Sequence, residues 1–154
     1  NKLMTAREIS GAFPNWEMVV PKTFEFFAET KASELKVALT RVGVMADDSH
    51  RRIEFAFFPN KLVLKSESAE TGSSTEEINS TFQGLNKSEG AAVAPAEGWG
   101  IAFNTKYLME FLALQNAKQN ESRVIWKFGS NLAPVLLMFE GEERLFSYVI
   151  VPLK

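Results

Sequence analysis

The sequence has no cysteine and only one histidine, His50, and each shortage excludes a kind of chemistry. Without cysteine the chain cannot form a disulfide, a thiolate nucleophile or a cysteine-ligated metal site. It also contains no apolar run of about 18 residues, the length that a membrane-spanning helix requires. Its opening residues do not show the charged and apolar pattern of a signal peptide. We therefore expect a cytoplasmic protein in a reducing compartment.

The sequence also has no excess of basic charge, since it contains 17 Lys and Arg residues and 19 Asp and Glu residues. This balance does not indicate a protein that holds nucleic acid through a strongly basic surface. Phosphate-binding glycine loops, nucleophile elbows and zinc-protease motifs are missing as well. The sequence thus predicts a protein that is not an enzyme and that carries no cofactor or metal.

One cluster keeps an enzymatic alternative open. Asp47 and Asp48 lie close to His50 in the sequence, and two carboxylates beside an imidazole can hold a metal ion or act as acid and base in a hydrolase. Arg51 and Arg52 follow directly, between a predicted helix and a predicted strand. A solvated turn is therefore favoured, and His50→Ala is expected to remove no activity.

The length of 154 residues fits one globular domain with part of another. Residues 3–9 read as a strand already under way, and a connector with prolines follows as far as Pro21. This segment is too short to fold alone. We predict that residues 1–21 are the end of a preceding domain with its connector, and that residues 22–154 form a domain of their own in a longer protein.

Hydrophobic periodicity predicts the same order of elements twice: a strand, a helix and three strands. The first unit comprises strand 24–29, helix 31–45 with Thr30 or Ser33 as N-cap, and strands 52–58, 62–68 and 75–82. The second comprises strand 99–103, a helix that Asn104 caps and that runs to about residue 115, and strands 123–128, 134–139 and 144–151. A long loop over 84–98 separates them. This order predicts an α+β fold, in which a duplicated β-α-β-β-β unit packs two helices on antiparallel sheets.

Two apolar features lie at positions that the predicted core does not explain. Val37 and Val44 lie on the polar face of the first helix, where they are either tolerated exposure or a second contact surface. The last ten residues, LFSYVIVPLK, are strongly β-prone and contain a proline that cannot donate to a sheet. This segment is either the last strand of the sheet, which is favoured, or half of a binding groove.

Three motifs occur in an order and spacing that resemble a known family: GAFPNWEMVVPK at 11–22, FNTKYL at 103–108 and YVIVPL at 148–153. They resemble the bacterial sliding clamp, the β subunit of DNA polymerase III, from the end of its second domain through its third. Each motif alone is moderately specific, but three in register are specific together. The resemblance implies a DNA-clamp fold and a processivity factor. Such a factor is a ring of two subunits that encircles duplex DNA, whatever its sequence, and tethers the replicative polymerase.

The resemblance also implies roles for residues of this chain. Basic residues on the helices that line the hole are candidates for loose phosphate contacts: Lys31, Lys36, Arg41 and Lys106. A hydrophobic groove takes a short motif similar to Gln-Leu-x-Leu-x-Phe from the polymerase, the clamp loader and repair proteins. The share of that groove in this chain comprises Pro14, Met18, Val19, Tyr107, Leu132, Pro134, Val149, Ile150, Val151, Pro152 and Leu153.

The same resemblance implies a homodimer in the longer protein, closed where the third domain meets the first domain of the other subunit. Val44 and Met45 match apolar positions of that contact, and Glu76 and Glu77 are expected to face basic residues across it. Strand pairing near 70–78 adds to the contact, and we expect that this chain alone does not close a ring. A stand-alone module with the same fold that binds a peptide or a small molecule is the alternative.

Overall fold

The computed structural model describes residues 15–46, 51–70, 72–84, 95–114, 122–142 and 146–154. Some expectations fall outside these residues: the strand at 3–9, most of the loop at 84–98, Pro14, and the cluster of Asp47, Asp48 and His50. The domain boundary after residue 21 stays a prediction.

Two successive β-α-β-β-β units make up the described chain, as the periodicity predicted. A short 3-10 turn at Trp16–Met18 precedes them. The first unit contains β1 (Phe26–Lys31), α1 (Ala32–Gly43), β2 (Arg52–Phe58), β3 (Lys61–Ser68) and β4 (Gly72–Gly84). The second contains β5 (Trp99–Asn104), α2 (Thr105–Ala113), β6 (Arg123–Phe128), β7 (Val135–Phe139) and β8 (Tyr148–Ile150).

These strands form one antiparallel sheet in the order β5-β2-β3-β4-β1-β6-β7-β8. The first strand of each unit pairs with the second strand of the other unit. Strand β1 pairs with β6, with Lys31 opposite Arg123, and β5 pairs with β2, with Asn104 opposite Arg52. Because of this exchange, neither unit has a complete sheet of its own. The predicted α+β fold, with two helices on antiparallel strands, is confirmed.

Helix α1 forms because its apolar side chains recur every three or four residues, and that stripe is buried. The buried side chains are Ala32, Leu35, Ala38, Leu39 and Val42. The helix contacts β1, β3 and β4, and α2 contacts α1 and β5. Helix α2 buries Leu108, Phe111 and Leu112 in the same core. Each helix therefore covers the core with one face and presents the other to solvent.

Aromatic rings fill much of this core. Phe57 of β2 lies edge-on to Phe128 of β6, with ring centroids 4.9 Å apart, and Trp99 of β5 lies at the same distance from Phe128. Phe111 of α2 stacks on Phe139 of β7 at 4.5 Å. Such pairs stabilise by about 0.5 to 1.5 kcal/mol beyond the burial of area. Since Phe57 and Phe128 come from different units, the rings also join the two halves of the chain.

Two buried side-chain hydrogen bonds fix the ends of neighbouring elements. The Trp126 Nε1–H donates to Thr30 Oγ1 at 3.0 Å, which ties β6 to the end of β1. The Ser66 hydroxyl of β3 donates to the carbonyl oxygen of Val42 at 2.7 Å. That bond adds a tertiary contact to one of the last carbonyls of α1, so β3 sets the position of the helix end.

The structure corrects the predicted N-cap and the predicted end of α1. Its N-cap is Lys31, which makes no side-chain capping hydrogen bond, rather than Thr30 or Ser33. Thr30 belongs to β1, and its hydroxyl accepts the bond from Trp126 instead. The helix also ends at Gly43, before the predicted end at residue 45. For α2 the predicted cap is confirmed, since the Asn104 side chain accepts from the Lys106 amide at 2.9 Å.

The strand predictions differ from the structure in length and, for β1, in position, since β1 covers Phe26–Lys31 rather than 24–29. Strands β2 and β6 have the predicted bounds. Strand β4 runs over Gly72–Gly84 rather than 75–82, and β8 covers only Tyr148–Ile150 of the predicted 144–151. Strand β4 is underestimated because its first half is polar and therefore lacks the alternation that marks a half-buried strand.

Thr30→Val is expected to lower the free energy of unfolding by about 1 to 3 kcal/mol, because it keeps the side-chain shape and leaves the buried Trp126 N–H without an acceptor. Chemical denaturation followed by tryptophan fluorescence measures the change. Thr40→Val is the matched control, since its hydroxyl donates to the Lys36 carbonyl on the exposed face of α1. There a change within about 0.5 kcal/mol is expected. Equal losses in the two variants would contradict the role of Thr30.

Candidate interaction surfaces

The described residues include a set of large apolar side chains that stay exposed to solvent: Met18, Val19, Val37, Val44, Tyr107, Leu114, Leu132 and Val151. Exposed apolar side chains that gather in patches are typical of contact surfaces. All of these except Val37, Val44 and Leu114 belong to the predicted groove, and Val44 belongs to the predicted dimer contact.

The C-terminal strand alternates between core and solvent. Ile150 is buried and Val151 is 62% exposed, while Val149 is half-buried on the outward side. Pro152 is buried again and Leu153 is half-buried. This alternation follows from the period of two in a β-strand. Of the predicted groove residues, Val149, Val151 and Leu153 therefore share one side, whereas Ile150 and Pro152 lie in the interior beneath them.

The turn between β6 and β7 presents Leu132 to solvent. A hydrogen bond from the Ala133 amide to the Ser130 carbonyl at 3.1 Å closes this turn, and Leu132 is 66% exposed. Leu132 lines a recess of about 450 Å³ together with Leu153 and residues of β2, β3 and β5. The structure thus brings these two predicted groove residues together. Pro134 is half-buried just before β7.

Tyr107 and Tyr148 lie beside each other at α2. The ring of Tyr148 lies 5.5 Å from that of Phe111, and Tyr107 is half-exposed. Burial raises the pKa of Tyr148, and interactions with Glu110 and Tyr107 raise that pKa further. Met18 and Val19 are exposed before β1, and their grouping with the C-terminal strand stays a prediction.

A second surface lies along β4, whose two halves have different neighbours. Residues 72–79 pair with β3 only, whereas residues 80–84 pair with β1. Within the described chain, the first half of β4 therefore has one open edge. A recess of about 460 Å³ lies between this edge and α1, and Val37, Arg41, Glu76 and Ile78 are among its lining residues.

The predicted dimer residues lie at or near this second surface. Glu76 pairs with Arg41 of α1 at 3.6 Å, and Glu77 pairs with Lys61 of β3 at 2.8 Å. Val44, just after α1, is 71% exposed, and Met45 is half-buried. The helix end and the open strand edge are thus joined by the Arg41–Glu76 ion pair. Exposed ion pairs of this kind are weak, at about 0 to 1 kcal/mol.

The four basic residues predicted to face DNA fall into two classes. Lys31 pairs with Glu34 at 3.3 Å, and Arg41 pairs with Glu76. Lys36 and Lys106 are exposed and form no ion pair with any other residue that the structure describes. Of the four, only Lys36 and Lys106 thus carry a charge that no carboxylate of the described residues offsets.

Within residues 15–46, 51–70, 72–84, 95–114, 122–142 and 146–154, no group of three or more His, Asp or Glu side chains is placed to hold a metal ion. In those same ranges, no helix has both the length and the apolar character needed to cross a membrane. The hydrolase cluster of Asp47, Asp48 and His50 lies outside them and stays an untested alternative.

A family model matches residues 17–154, almost the whole chain, and describes the C-terminal domain of the DNA polymerase III beta subunit. The chain belongs to this family. The domain is thus that of a sliding clamp, as the three motifs indicated. Two successive β-α-β-β-β units make up the described part of this domain.

Curated sliding clamps match this chain along its whole length. The beta sliding clamp of Synechococcus elongatus is 27% identical over 156 residues, which cover 100% of this chain and 37% of that protein. The beta sliding clamp of Synechocystis is 26% identical over 153 residues, covering 98% of this chain and 35% of that protein. The chain therefore spans a little over a third of the length of these relatives.

Solved structures show the same fold. The DNA polymerase III beta subunit of Thermotoga maritima superposes with a TM-score of 0.78 at 23% identity, over 94% of this chain and 35% of that one. A sliding clamp from Bartonella birtlesii, solved bound to griselimycin, gives a TM-score of 0.78 at 18% identity, over 95% and 35%. At these identities the likeness establishes the fold of the sliding-clamp domain.

Sequence reasoning missed one feature of this sliding-clamp domain. The recess beside Leu132 and Leu153 also involves β5, and in particular the exposed Gly100. A glycine inside a strand often marks a place where another backbone approaches closely. That signal was present in the sequence Trp99-Gly100-Ile101, between two residues that favour strands.

Val151→Asp is expected to change the free energy of unfolding by no more than about 0.5 kcal/mol, because the side chain already faces solvent. Ile150→Asp is expected to cost more than about 4 kcal/mol, since it places an unpaired charge in the core. Thermal or chemical denaturation of the two variants measures the contrast. Similar stability of both variants would contradict the alternation described for this strand.

Proposed function

We propose that this chain forms the third domain of a sliding clamp that encircles duplex DNA and tethers the replicative polymerase, the clamp loader and repair proteins. The observation that carries the proposal is the outward side of the C-terminal strand. Val149 and Val151 lie there over the buried Ile150. These residues occupy the positions at which the groove of the family is expected. Such a clamp acts by topology and contact, without catalysis and without a cofactor.

The proposed groove consists of the outward residues of the C-terminal strand and the exposed side chains near it. Its contact residues in this chain are Met18, Val19, Tyr107, Leu132, Pro134, Val149, Val151 and Leu153. Ile150 and Pro152 support the strand from the interior. An apolar groove of this kind suits a motif such as Gln-Leu-x-Leu-x-Phe, because each Leu or Phe side chain that becomes fully buried contributes about 1.5 to 3 kcal/mol.

The DNA contacts are proposed for Lys36 and Lys106 before Lys31 and Arg41. The first two are exposed without a carboxylate partner among the described residues, whereas the others pair with Glu34 and Glu76. A lysine with a free charge attracts phosphate without reading sequence. A small number of such contacts suits a ring that slides, because strong contacts at many positions would hold it in place.

The ring contact is proposed for the open edge of β4 and the exposed end of α1. Unpaired strand edges readily accept a strand from another chain. Residues 72–79 offer such an edge, with Val44 and Met45 on the neighbouring helix end and the carboxylates of Glu76 and Glu77 on the strand. A homodimer of the longer protein is thus supported by an open strand edge that lies beside an exposed apolar side chain, Val44.

Leu132→Asp is expected to weaken binding of a fluorescent Gln-Leu-x-Leu-x-Phe peptide by at least about 2 kcal/mol, roughly thirtyfold, because it places a charge in the wall of the groove. Fluorescence anisotropy with the 154-residue chain measures the affinity. The control is Leu114→Asp, which changes another exposed leucine, just after α2, and is expected to leave affinity unchanged. Equal effects of the two variants, or no binding by the unmodified chain, would sink the groove assignment.

The 154-residue chain alone is expected to sediment as a monomer, because the proposed ring contact of this domain is completed by a different domain of the other subunit. Analytical ultracentrifugation at micromolar concentrations measures its mass. A stable ring-shaped dimer of this chain would contradict the proposed closure.

A further inference from the structure

Arg51, just before β2, has a backbone conformation that suits glycine better than arginine. Its φ of 45° lies in the left-handed region, and among the described residues no other non-glycine residue has a positive φ. This region is strained for a residue with a Cβ and free of strain for glycine. The Arg51 carbonyl accepts hydrogen bonds from the Thr105 amide at 2.9 Å and from the Thr105 hydroxyl at 2.8 Å. These two bonds hold the strained backbone against the start of α2.

The side chain of Arg51 contributes nothing visible to the fold. It is exposed, and it forms no ion pair, hydrogen bond or ring contact with any other residue that the structure describes. Both hydrogen bonds at this residue use its backbone carbonyl. An exposed side chain without contacts has little effect on stability. The fold therefore does not account for an arginine at a position that suits glycine.

Arg51 lines a recess of about 600 Å³ between the end of α1 and the start of α2. The two helix ends meet there, since a Cβ built on Gly43 would lie 3.7 Å from Thr105 Cγ2. The hydrogen bonds from Thr105 thus place Arg51 at the junction of the two helices.

The recess opens on the solvent-facing side of α2. Its lining residues from this helix recur every three or four positions and are Lys106, Met109, Glu110 and Ala113. The buried residues Leu108, Phe111 and Leu112 lie on the other side of the helix. In the proposed ring the helices line the hole, so this side of α2 faces the duplex.

The charge around the recess favours an anion. Arg51 and Lys106 are exposed, and neither forms an ion pair with another described residue. Glu110 is the one carboxylate among the described lining residues, so two cations are present for one anion. The first amides of α2 are already used, that of Thr105 by the Arg51 carbonyl and that of Lys106 by the Asn104 side chain. An anion is therefore held here by the two cationic side chains and not by the helix end.

We propose that Arg51 binds a phosphate of the DNA backbone beside the phosphate that Lys106 contacts. A guanidinium can donate two hydrogen bonds to one phosphate, and the fixed backbone at Arg51 limits where it points. Lys36 lies two turns before Gly43 on the same side of α1, so it continues this set of free cations along the helix. The inference rests on the proposed encirclement of DNA and adds a contact residue outside the helices. Strained conformations gather at binding sites of this kind.

The test titrates the isotope-labelled 154-residue chain with a duplex of about 12 base pairs at about 20 mM salt, where phosphate contacts are strong. NMR shift changes are expected at Arg51 and on the solvent-facing sides of α1 and α2. They are not expected on the face of the sheet that points away from the helices. Repeating the titration at higher salt gives the slope of log K against log salt, which is about 0.9 for each phosphate contact.

Arg51→Gln and Arg52→Gln are the matched variants, since each removes one positive charge from neighbouring positions. Arg52 alternates with the buried Ile53 and lies on the side of the sheet away from the helices. There it pairs with Glu54 at 3.4 Å and donates to the Lys154 carbonyl at 2.8 Å. Arg51→Gln is expected to weaken duplex binding about tenfold and to lower the slope by about 0.9, whereas Arg52→Gln changes the affinity by less than about twofold.

Arg51→Gly separates the charge from the backbone conformation. It removes the guanidinium and relieves the left-handed strain. The variant is thus expected to unfold at the same denaturant concentration as the unmodified chain or at a higher one, while duplex binding weakens about tenfold. Arg51→Lys keeps the charge and is expected to bind within about threefold of the unmodified chain.

The outcomes separate the Arg51 contact from the proposed function. If shift changes appear on α1 and α2 but Arg51→Gln or Arg51→Gly binds as the unmodified chain does, the Arg51 contact is wrong while the DNA-facing surface stands. Equal losses in Arg51→Gln and Arg52→Gln are an effect of net charge alone and also overturn the contact. If the duplex causes no shift changes, or only changes on the far side of the sheet, the DNA-facing surface and the Arg51 contact are both overturned.

Discussion

The exchange of first strands between the two units is the constraint on which the rest of this domain depends. Because β1 pairs with β6 and β5 pairs with β2, each unit completes its sheet with a strand of the other. The buried Trp126–Thr30 hydrogen bond lies across one of these junctions. The contact between Phe57 and Phe128 joins the same two units inside the core. One core therefore supports both helices, and neither unit can separate without exposing it.

The same exchange determines which strand edges stay open. Strand β4 is longer than its partner β1 and extends past it, so residues 72–79 keep a free edge beside α1. Strand β5 has a long partner in β2 but only one bridge on its other side. Both openings are next to exposed apolar side chains, Val37 and Val44 at the first and Leu132 at the second. The surface proposed for ring closure is thus a consequence of how the sheet is assembled.

The sequence predicted the fold where its apolar pattern was strong. The bounds of β2 were predicted because Ile53, Phe55 and Phe57 alternate with residues that face outward. The N-cap of α1 was predicted wrongly, because a capping rule uses local sequence and does not show that the Thr30 hydroxyl accepts a hydrogen bond from Trp126 across the sheet. The length of β4 was underestimated because its first half is polar. That half is held by hydrogen bonds to β3 and not by buried side chains, so it shows no apolar alternation.

The candidate site was predictable to a similar extent. The resemblance predicted a groove on the C-terminal strand but did not distinguish the outward Val149 and Val151 from the buried Ile150. That distinction depends on which side of the strand faces the core. It also did not show that Arg41 is offset by Glu76, since the two are distant in sequence.

The central claim is that the outward side of the C-terminal strand is the partner-binding surface of this sliding-clamp domain. The most direct measurement is an NMR titration of the isotope-labelled chain with a Gln-Leu-x-Leu-x-Phe peptide. The account predicts saturable shift changes that centre on Leu132, Val149 and Val151 and leave the recess between α1 and β4 unchanged. Changes centred on Val37 and Ile78 instead, or no changes at all, would contradict it.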